Sequence, residues 1–369
     1  MPNPGLADTA DLPTLPAALP PRQLRTAMEQ LPRVALSHLP TPLEPLPRFS
    51  SALGGPLVFI KRDDCTGLCL GGNKARHNEF LFGDALHNDC DLFVWGAGLQ
   101  SNNCRQTAAA CARLGLDCHL LLSRRGYSDA DVRRRQGNLL LDQLVGAVIE
   151  VVDEEIGPAL DARLAELAKK YQDAGRRPYV WNRPRVLPRA AASYAICAAE
   201  IAEQCKERGI EPRAVYVSSA GSTGAGLVLG AKSMQWSTAV RCIAPMQWPW
   251  DTAAEMAATA QAAADLANIP IRVYRGDVDI TFDHIASGYG ECSPDGLEAM
   301  MLLARSEGIL VDPIYSGKAL AGLVADVRRK MYGPSDVIVF IHTGGTPALF
   351  SYAHDLATGI PERRAPQSR

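Results

Sequence analysis

From about residue 57 onward, short apolar runs alternate with amphipathic stretches, and this alternation limits the possible folds more than any other feature of the chain. Runs of strand length lie at 57–61, 92–95, 118–123, 147–152, 179–181, 214–218, 240–244, 271–274 and 337–342. Between them, helix patterns occupy 105–114, 129–144, 156–174 and 190–208. Such an order predicts an α/β protein with mostly parallel sheets and helices on both faces. The alternation falls into two regions, before and after about residue 195, which predicts two lobes with a cleft between them. A length of 369 residues agrees, being too great for one small core. Residues 1–22, rich in Pro and Ala, are expected to form a loose arm.

Charge narrows the partners. The 38 basic and 40 acidic residues nearly cancel, which speaks against nucleic acid or an anionic membrane surface. No apolar run is long enough to span a bilayer. The start, Met-Pro-Asn-Pro-Gly-Leu-Ala-Asp, lacks the basic and apolar regions of a signal peptide. The ten cysteines are scattered without a Cys-x-x-Cys pair, and are read as small buried side chains in a reducing, cytoplasmic compartment. No metal is expected, because the seven histidines do not cluster with acidic or cysteine partners.

Five segments carry candidate chemistry. Gly71-Gly72-Asn73-Lys74 follows closely on Lys61-Arg62-Asp63-Asp64. A lysine among glycines lets a flat ligand approach the backbone and bond to the amine, as carbonyl cofactors such as pyridoxal phosphate do. The plainer alternative is a Gly-Gly turn bearing an exposed lysine. The second segment, 96–103, runs from a strand into a helix, and Ser101 and Asn102 are good helix-capping types. Gly96-x-Gly98 also begins a dinucleotide fingerprint, but Ser101 replaces its third glycine. Ser123-Arg124-Arg125 at the next strand end would at best suit NADP.

The third segment, Ser218-Ser219-Ala220-Gly221-Ser222-Thr223-Gly224-Ala225-Gly226, again joins a strand to a helix. Converging N–H groups, hydroxyls and a helix N-terminus suit a single phosphate, although a tight Gly/Ser turn needs the same residues. The fourth pairs Gly288-Tyr289-Gly290 with Asp312-Pro313-Ile314-Tyr315-Ser316-Gly317-Lys318. Its tyrosines either face a ligand as proton-transfer groups or close the edge of a core. The fifth, His342-Thr343-Gly344-Gly345, ends a strand, with a structural histidine favoured over a catalytic one.

Together these segments resemble the fold-type-II pyridoxal-phosphate enzymes, of tryptophan synthase β-like architecture, and within them the D-cysteine desulfhydrase and 1-aminocyclopropane-1-carboxylate deaminase group. Thr41-Pro42-Leu43, Arg76, Gln100, Arg105-Gln106 and Glu307-Gly308 extend the likeness over most of residues 39–352. The resemblance implies a large cofactor-binding domain of residues 23–85 plus 196–369, a smaller domain of 86–195, and a homodimer. It implies pyridoxal 5'-phosphate as cofactor and a small amino acid as substrate. Lys74 would be the Schiff-base lysine, and Asn102 would bond the cofactor's ring hydroxyl. Ala220, Gly221, Ser222 and Thr223 would hold its phosphate. Ser101, with Asn102 and Asn103, would meet the substrate carboxylate, while Tyr289 and Tyr315 would flank the ring. Ser316 would face the ring nitrogen, where the deaminase has glutamate and the desulfhydrases threonine. A hydroxyl there favours a less protonated ring, hence α,β-elimination over opening of a cyclopropane.

Two departures from the family pattern matter. Asn103-Cys104 replaces a pair that is usually His-Ala, and 182–194 brings Arg183, Arg185 and Arg189 where the family is rich in Gly and Ser. Those arginines either form a solvated face or bind a second anion, which would make the substrate cysteate-like or dicarboxylic. The other readings are the deaminase, a cofactor-binding protein without catalysis, and the NADP oxidoreductase.

Overall fold

The computed structural model describes residues 17–286, 288 and 290–360. Ten strands occur among them, in chain order β1 (Leu43–Pro45), β2 (Leu57–Lys61), β3 (Leu92–Gly98), β4 (Asp117–Ser123), β5 (Val148–Val152), β6 (Pro178–Val180), β7 (Pro212–Ser218), β8 (Ala239–Ile243), β9 (Asp279–Thr281) and β10 (Val337–Ile341). They form a six-stranded sheet of order β1-β2-β10-β7-β8-β9 and a four-stranded sheet of order β5-β4-β3-β6. Every pairing is parallel except β1 with β2.

Side-chain alternation explains why both sheets are covered twice. In β10, Val339 and Ile341 join one buried cluster while Ile338 and Phe340 join another. In β3, Phe93 and Trp95 face one cluster and Leu92 and Val94 the other. Strands buried on both faces must read as continuous apolar runs, which is how these read in the sequence.

The helix Arg183–Arg208 leads from β6 in the small sheet to β7 in the large one. Asn182 caps it, accepting the Arg185 N–H at 3.1 Å, and Gly209 ends it at φ +64°. The helix Ser222–Ser233 packs closely on it through glycines. A β-carbon on Gly226 would lie 2.1 Å from the Ala191 carbonyl oxygen, and one on Gly230 would lie 2.5 Å from Ala198 Cβ.

Three expectations need correction. The run 271–274 is not a strand, because the Gln261 side chain takes its backbone bonds. Gln261 accepts the Val273 N–H at 2.9 Å and donates to Ile271 O at 3.2 Å. The edge strand is β9 instead. The pattern 129–144 is two helices, Asp129–Arg134 and Gly137–Leu144, separated where Arg135 and Gly137 take positive φ. The expected arm over 1–22 falls mostly outside the described residues. Its end is not loose: Pro21–Met28 is a helix, and the Leu19 N–H donates to Ser233 O at 2.9 Å.

Beneath the helix Asn73–His87 lies a neutral, fully enclosed ion network. Arg76 donates to both oxygens of Asp63 at 2.9 and 2.8 Å and to both of Glu200 at 3.0 and 3.1 Å. Lys61 bonds Glu200, and donates to Thr41 O and Gln204 Oε1 at 2.7 Å each. The Tyr194 hydroxyl donates to Asp63 at 2.6 Å. Burial pushes both carboxylates up, but Arg76, with Lys61, holds them below their ordinary range. The motif Lys61-Arg62-Asp63-Asp64 therefore serves the scaffold: it anchors the helix that presents Lys74.

Candidate active site

Lys74 stands in the first turn of the helix Asn73–His87, where it lines a cavity of about 250 Å³. The cavity lies between the carboxyl ends of the two sheets. Gly96 and Ala97 come from the end of β3, Trp181 follows β6, Ser218 ends β7 and 219–223 follow it, Pro245 follows β8 and Thr343 follows β10. Parallel sheets characteristically gather ligands at this edge.

The glycines before Lys74 allow two backbone segments to cross. Gly71 and Gly72 have φ of +66° and +124°, and a β-carbon on Gly71 would lie 1.8 Å from Asp64 O. Gly344 crosses them at φ +90°, where a β-carbon would stand 2.6 Å from Gly72 Cα. Only glycine fits such an approach. The crossing is pinned by the Asn73 N–H donating to Thr343 O at 2.9 Å and by Arg105 donating to Gly71 O at 2.8 Å.

No carboxylate pairs with the Lys74 amine among the described residues, and burial lowers its pKa to about 8. The folded value lies below the ordinary 10.5, so the enclosed charge costs stability at neutral pH. That cost fades as the pH rises from about 8 toward 10.5. The same shift makes the amine a nucleophile under mild conditions. Capture of pyridoxal phosphate by the apoprotein should accelerate about tenfold between pH 7 and 9 and then level off. A rate still climbing beyond pH 10 would mean that the amine is solvated.

The loop after β7 forms an anion cradle. Ser219 Oγ accepts the N–H groups of Gly221 at 3.2 Å and Gly224 at 2.9 Å, which fixes the turn. The N–H groups of Ser222 and Thr223, at the head of the helix Ser222–Ser233, have no protein acceptor among the described residues. A β-carbon on Gly221 would meet nothing within 4 Å, so the loop opens onto free space. Two buried groups of the lining also lack partners, Ser218 Oγ and the Trp95 indole N–H. Thr223 Oγ1 accepts from Asn73 Nδ2 at 3.0 Å and lies 3.2 Å from His77 Nε2, tying the cradle to the Lys74 helix.

Ser101 caps the helix Asn102–Leu114, its Oγ accepting the N–H groups of Asn103 and Cys104 at 3.1 Å each. A hydroxyl that accepts in this way can still donate to an anion, so the capping and binding readings are compatible. Asn102 Oδ1 accepts from Asn138 Nδ2 at 3.0 Å, which leaves the Asn102 amide hydrogens to donate toward the cavity. Asn138 also bonds Gln100 through backbone and side chain, at 2.9 and 2.8 Å. Sequence reasoning missed Asn138, whose importance comes from the break at Gly137. Asn103 lines the cavity beside Ser101.

Tyr315 lines the cavity, but Ser316 does not. Ser316 is wholly buried, with Oγ 3.2 Å from both Thr343 Oγ1 and Gly344 O. Thr343, read from the sequence only as part of its segment, is the hydroxyl that reaches the cavity. The nearby Asp312 carboxylate accepts the N–H groups of Ile314, Tyr315 and Ser316 at 2.8–2.9 Å. His342 is structural, with Nε2 on Leu310 O at 2.9 Å and Nδ1 accepting the Gly344 N–H at 3.2 Å. Tyr289 lies outside the described residues.

The three arginines do not share a face. Arg185 and Arg189 both turn to Asp84, at 2.7 and 3.1 Å, away from the cavity lining. Arg183 reaches the cavity but is paired with Glu255. A common anion subsite is therefore not built.

The donor set suits pyridoxal phosphate: an unpaired low-pKa amine, free helix-terminal N–H groups for phosphate, and an amide for the ring oxygen. Comparisons with known proteins agree. Residues 34–344 match the family described as pyridoxal-phosphate dependent enzyme. A D-cysteine desulfhydrase of Klebsiella pneumoniae subsp. pneumoniae is 38% identical over 325 residues, spanning 88% of this chain and 97% of that protein. A second, from Klebsiella pneumoniae strain 342, is 39% identical over 327 residues, with the same 88% and 97% coverage. Among solved structures, an ACC deaminase homologue superposes with a TM-score of 0.82 at 31% identity, covering 91% of this chain and 99% of that one. The processed threonine deaminase isoform 2 of Solanum lycopersicum shares the fold, with a TM-score of 0.63 at 16% identity over 94% of this chain and 91% of that one.

Proposed function

The chain belongs to the pyridoxal-phosphate-dependent enzymes of fold type II, and from that membership we propose that it is a lyase catalysing α,β-elimination on a small β-substituted amino acid, as the D-cysteine desulfhydrases do. The observation that carries the reading is the hydroxyl pair Thr343 and Ser316, 3.2 Å apart, Ser316 holding the position where the resemblance implies glutamate in the deaminase and threonine in the desulfhydrases. The Asp312 carboxylate, which lies close by, is already engaged by three backbone N–H groups.

When bound, pyridoxal phosphate supplies the electron sink that stabilises charge at the substrate α-carbon. The protein supplies the rest. The Ser222 and Thr223 N–H groups would hold the phosphate, and the Asn102 amide would donate to the ring oxygen. The Ser101 hydroxyl donates to the substrate carboxylate, with Asn103 beside it. Lys74, neutral above about pH 8, holds the cofactor and accepts the α-proton. Tyr315, which lines the cavity, would flank the ring, the role that the resemblance also implies for Tyr289.

We assign residues 23–85 with 196–369 to the large domain and 86–195 to the smaller one, a division that the two sheets support. A homodimer is supported by the exposed apolar side chains Leu140, Leu144 and Phe350. A cytoplasmic setting is supported by ten cysteines that all remain free thiols.

With D-cysteine, the holoenzyme should release pyruvate and sulfide in equal amounts. With 1-aminocyclopropane-1-carboxylate it should release no 2-oxobutanoate. The reverse pattern would favour the deaminase. Bound cofactor with no turnover of any amino acid would favour a protein without catalysis.

A further inference from the structure

Part of the cavity lining is built from side chains that chemistry at the α-carbon does not require. Trp248 lines it, tethered by its indole N–H to Ala220 O at 3.3 Å. Trp250 stacks on Trp248 with ring centroids 4.9 Å apart and planes 7° from parallel. The Arg183 guanidinium lies 5.6 Å from the Trp248 ring and 4.9 Å from that of Trp250. Glu255 binds both Arg183 and the Trp250 indole N–H, the latter at 2.8 Å. From segments that follow strands of the small sheet come Trp181, edge-on to Trp95 at 5.0 Å, and the apolar Ile156 and Leu160.

This wall is aromatic, its indoles are pinned by hydrogen bonds, and its one arginine is already paired. The charge of Arg183 is answered by Glu255, and Asp161 adds a second carboxylate to the lining. A sulfonate or carboxylate substituent would meet no unpaired cation there. A substrate as small as cysteine would leave the indoles against water. Aromatic surface of this kind binds large apolar groups well.

We propose that this wall is a subsite for a large, uncharged, apolar β-substituent. The enzyme then releases thiols from S-aryl or S-alkyl cysteines in preference to sulfide from cysteine itself. The proposal rests on the elimination reading above. In that reaction the Cα–H bond breaks with its proton passing to Lys74. The Cβ–S bond breaks with its electron pair leaving on sulfur, which is then protonated to the thiol. One water supplies the keto oxygen of pyruvate as ammonia departs.

The test compares kcat/KM of the holoenzyme for S-phenylcysteine, cysteine and cysteate, each as D and L forms, with pyruvate as readout. The expected order places S-phenylcysteine at least about tenfold above cysteine and cysteate last. Trp181→Ala and Trp248→Ala should each lower the S-phenylcysteine to cysteine ratio about tenfold. Homophenylalanine, which has CH₂ in place of sulfur and cannot eliminate, gives a separate reading by calorimetric titration, and both variants should weaken it. Because Trp248→Ala also loses the bond to Ala220, its cofactor content is measured alongside, and Trp181→Ala decides if cofactor is lost. Preference for cysteine, or a ratio that neither variant moves, would overturn the subsite while leaving the elimination reading intact. No pyruvate from any of these amino acids would overturn the elimination reading, and the subsite with it.

Discussion

Lys74→Ala should lower kcat for elimination by at least about 10³-fold, the loss expected when an enzyme gives up both its covalent anchor and its general base. The assignment rests on a contrast among the enclosed lysines. Lys61 gives its ammonium to Glu200, Thr41 and Gln204. Lys318 gives its own to the carbonyl oxygens of Ile285 and Pro245, at 2.7 and 3.4 Å. Lys74 has no such partner among the described residues, and burial alone sets its pKa near 8. Lys74→Arg should fail as completely, since a guanidinium stays protonated and cannot take its place as nucleophile or base. Steady-state pyruvate release with saturating cofactor checks both variants. More than a few per cent of wild-type kcat in either would remove Lys74 from the reaction.

Arg76→Met should be the most damaging substitution away from the cavity. It leaves Asp63 and Glu200 enclosed without the cation that holds them ionised, and such a loss costs about 3–5 kcal/mol. For a chain of this size that corresponds to a fall in Tm of about 4–7 °C at pH 7. The pH dependence identifies the cause. Both carboxylates have depressed values in the folded protein, so their contribution is full above their ordinary values and is lost as pH falls through the folded ones. The gap in Tm between wild type and Arg76→Met should therefore hold down to about pH 4.5 and narrow as the pH falls below it. Calorimetric melts at several pH values would show it. A drop of under about 2 °C at pH 7, or a gap that widens in acid, would contradict the network as described.

How much of this was legible beforehand differs by kind of residue. The parallel strands were readable because burial on both faces makes them continuous apolar runs, as in β7 and β10. The run 271–274 looked the same locally, yet the Gln261 side chain, ten residues before, takes its backbone bonds. The glycine loops were readable because close backbone crossings leave no alternative residue type, Gly72 against Gly344 being the clearest case. Arg183, Arg185 and Arg189 were ambiguous because their partners, Glu255 and Asp84, are 72 and about 100 positions away. Asn138 escaped notice, and Thr343 was read only as part of its segment, for a related reason: each acquires its role from a neighbour brought in by the fold. Ser316 carries its electrostatic meaning only through Thr343, a relation that spacing along the chain does not encode.

The most direct test of the central claim is to reduce the holoenzyme with labelled borohydride and map the labelled peptide by mass spectrometry. The account requires a single label, on Lys74, together with loss of the visible absorption band. A label on Lys61, Lys318 or any other lysine, or no label from protein saturated with pyridoxal phosphate, would contradict it.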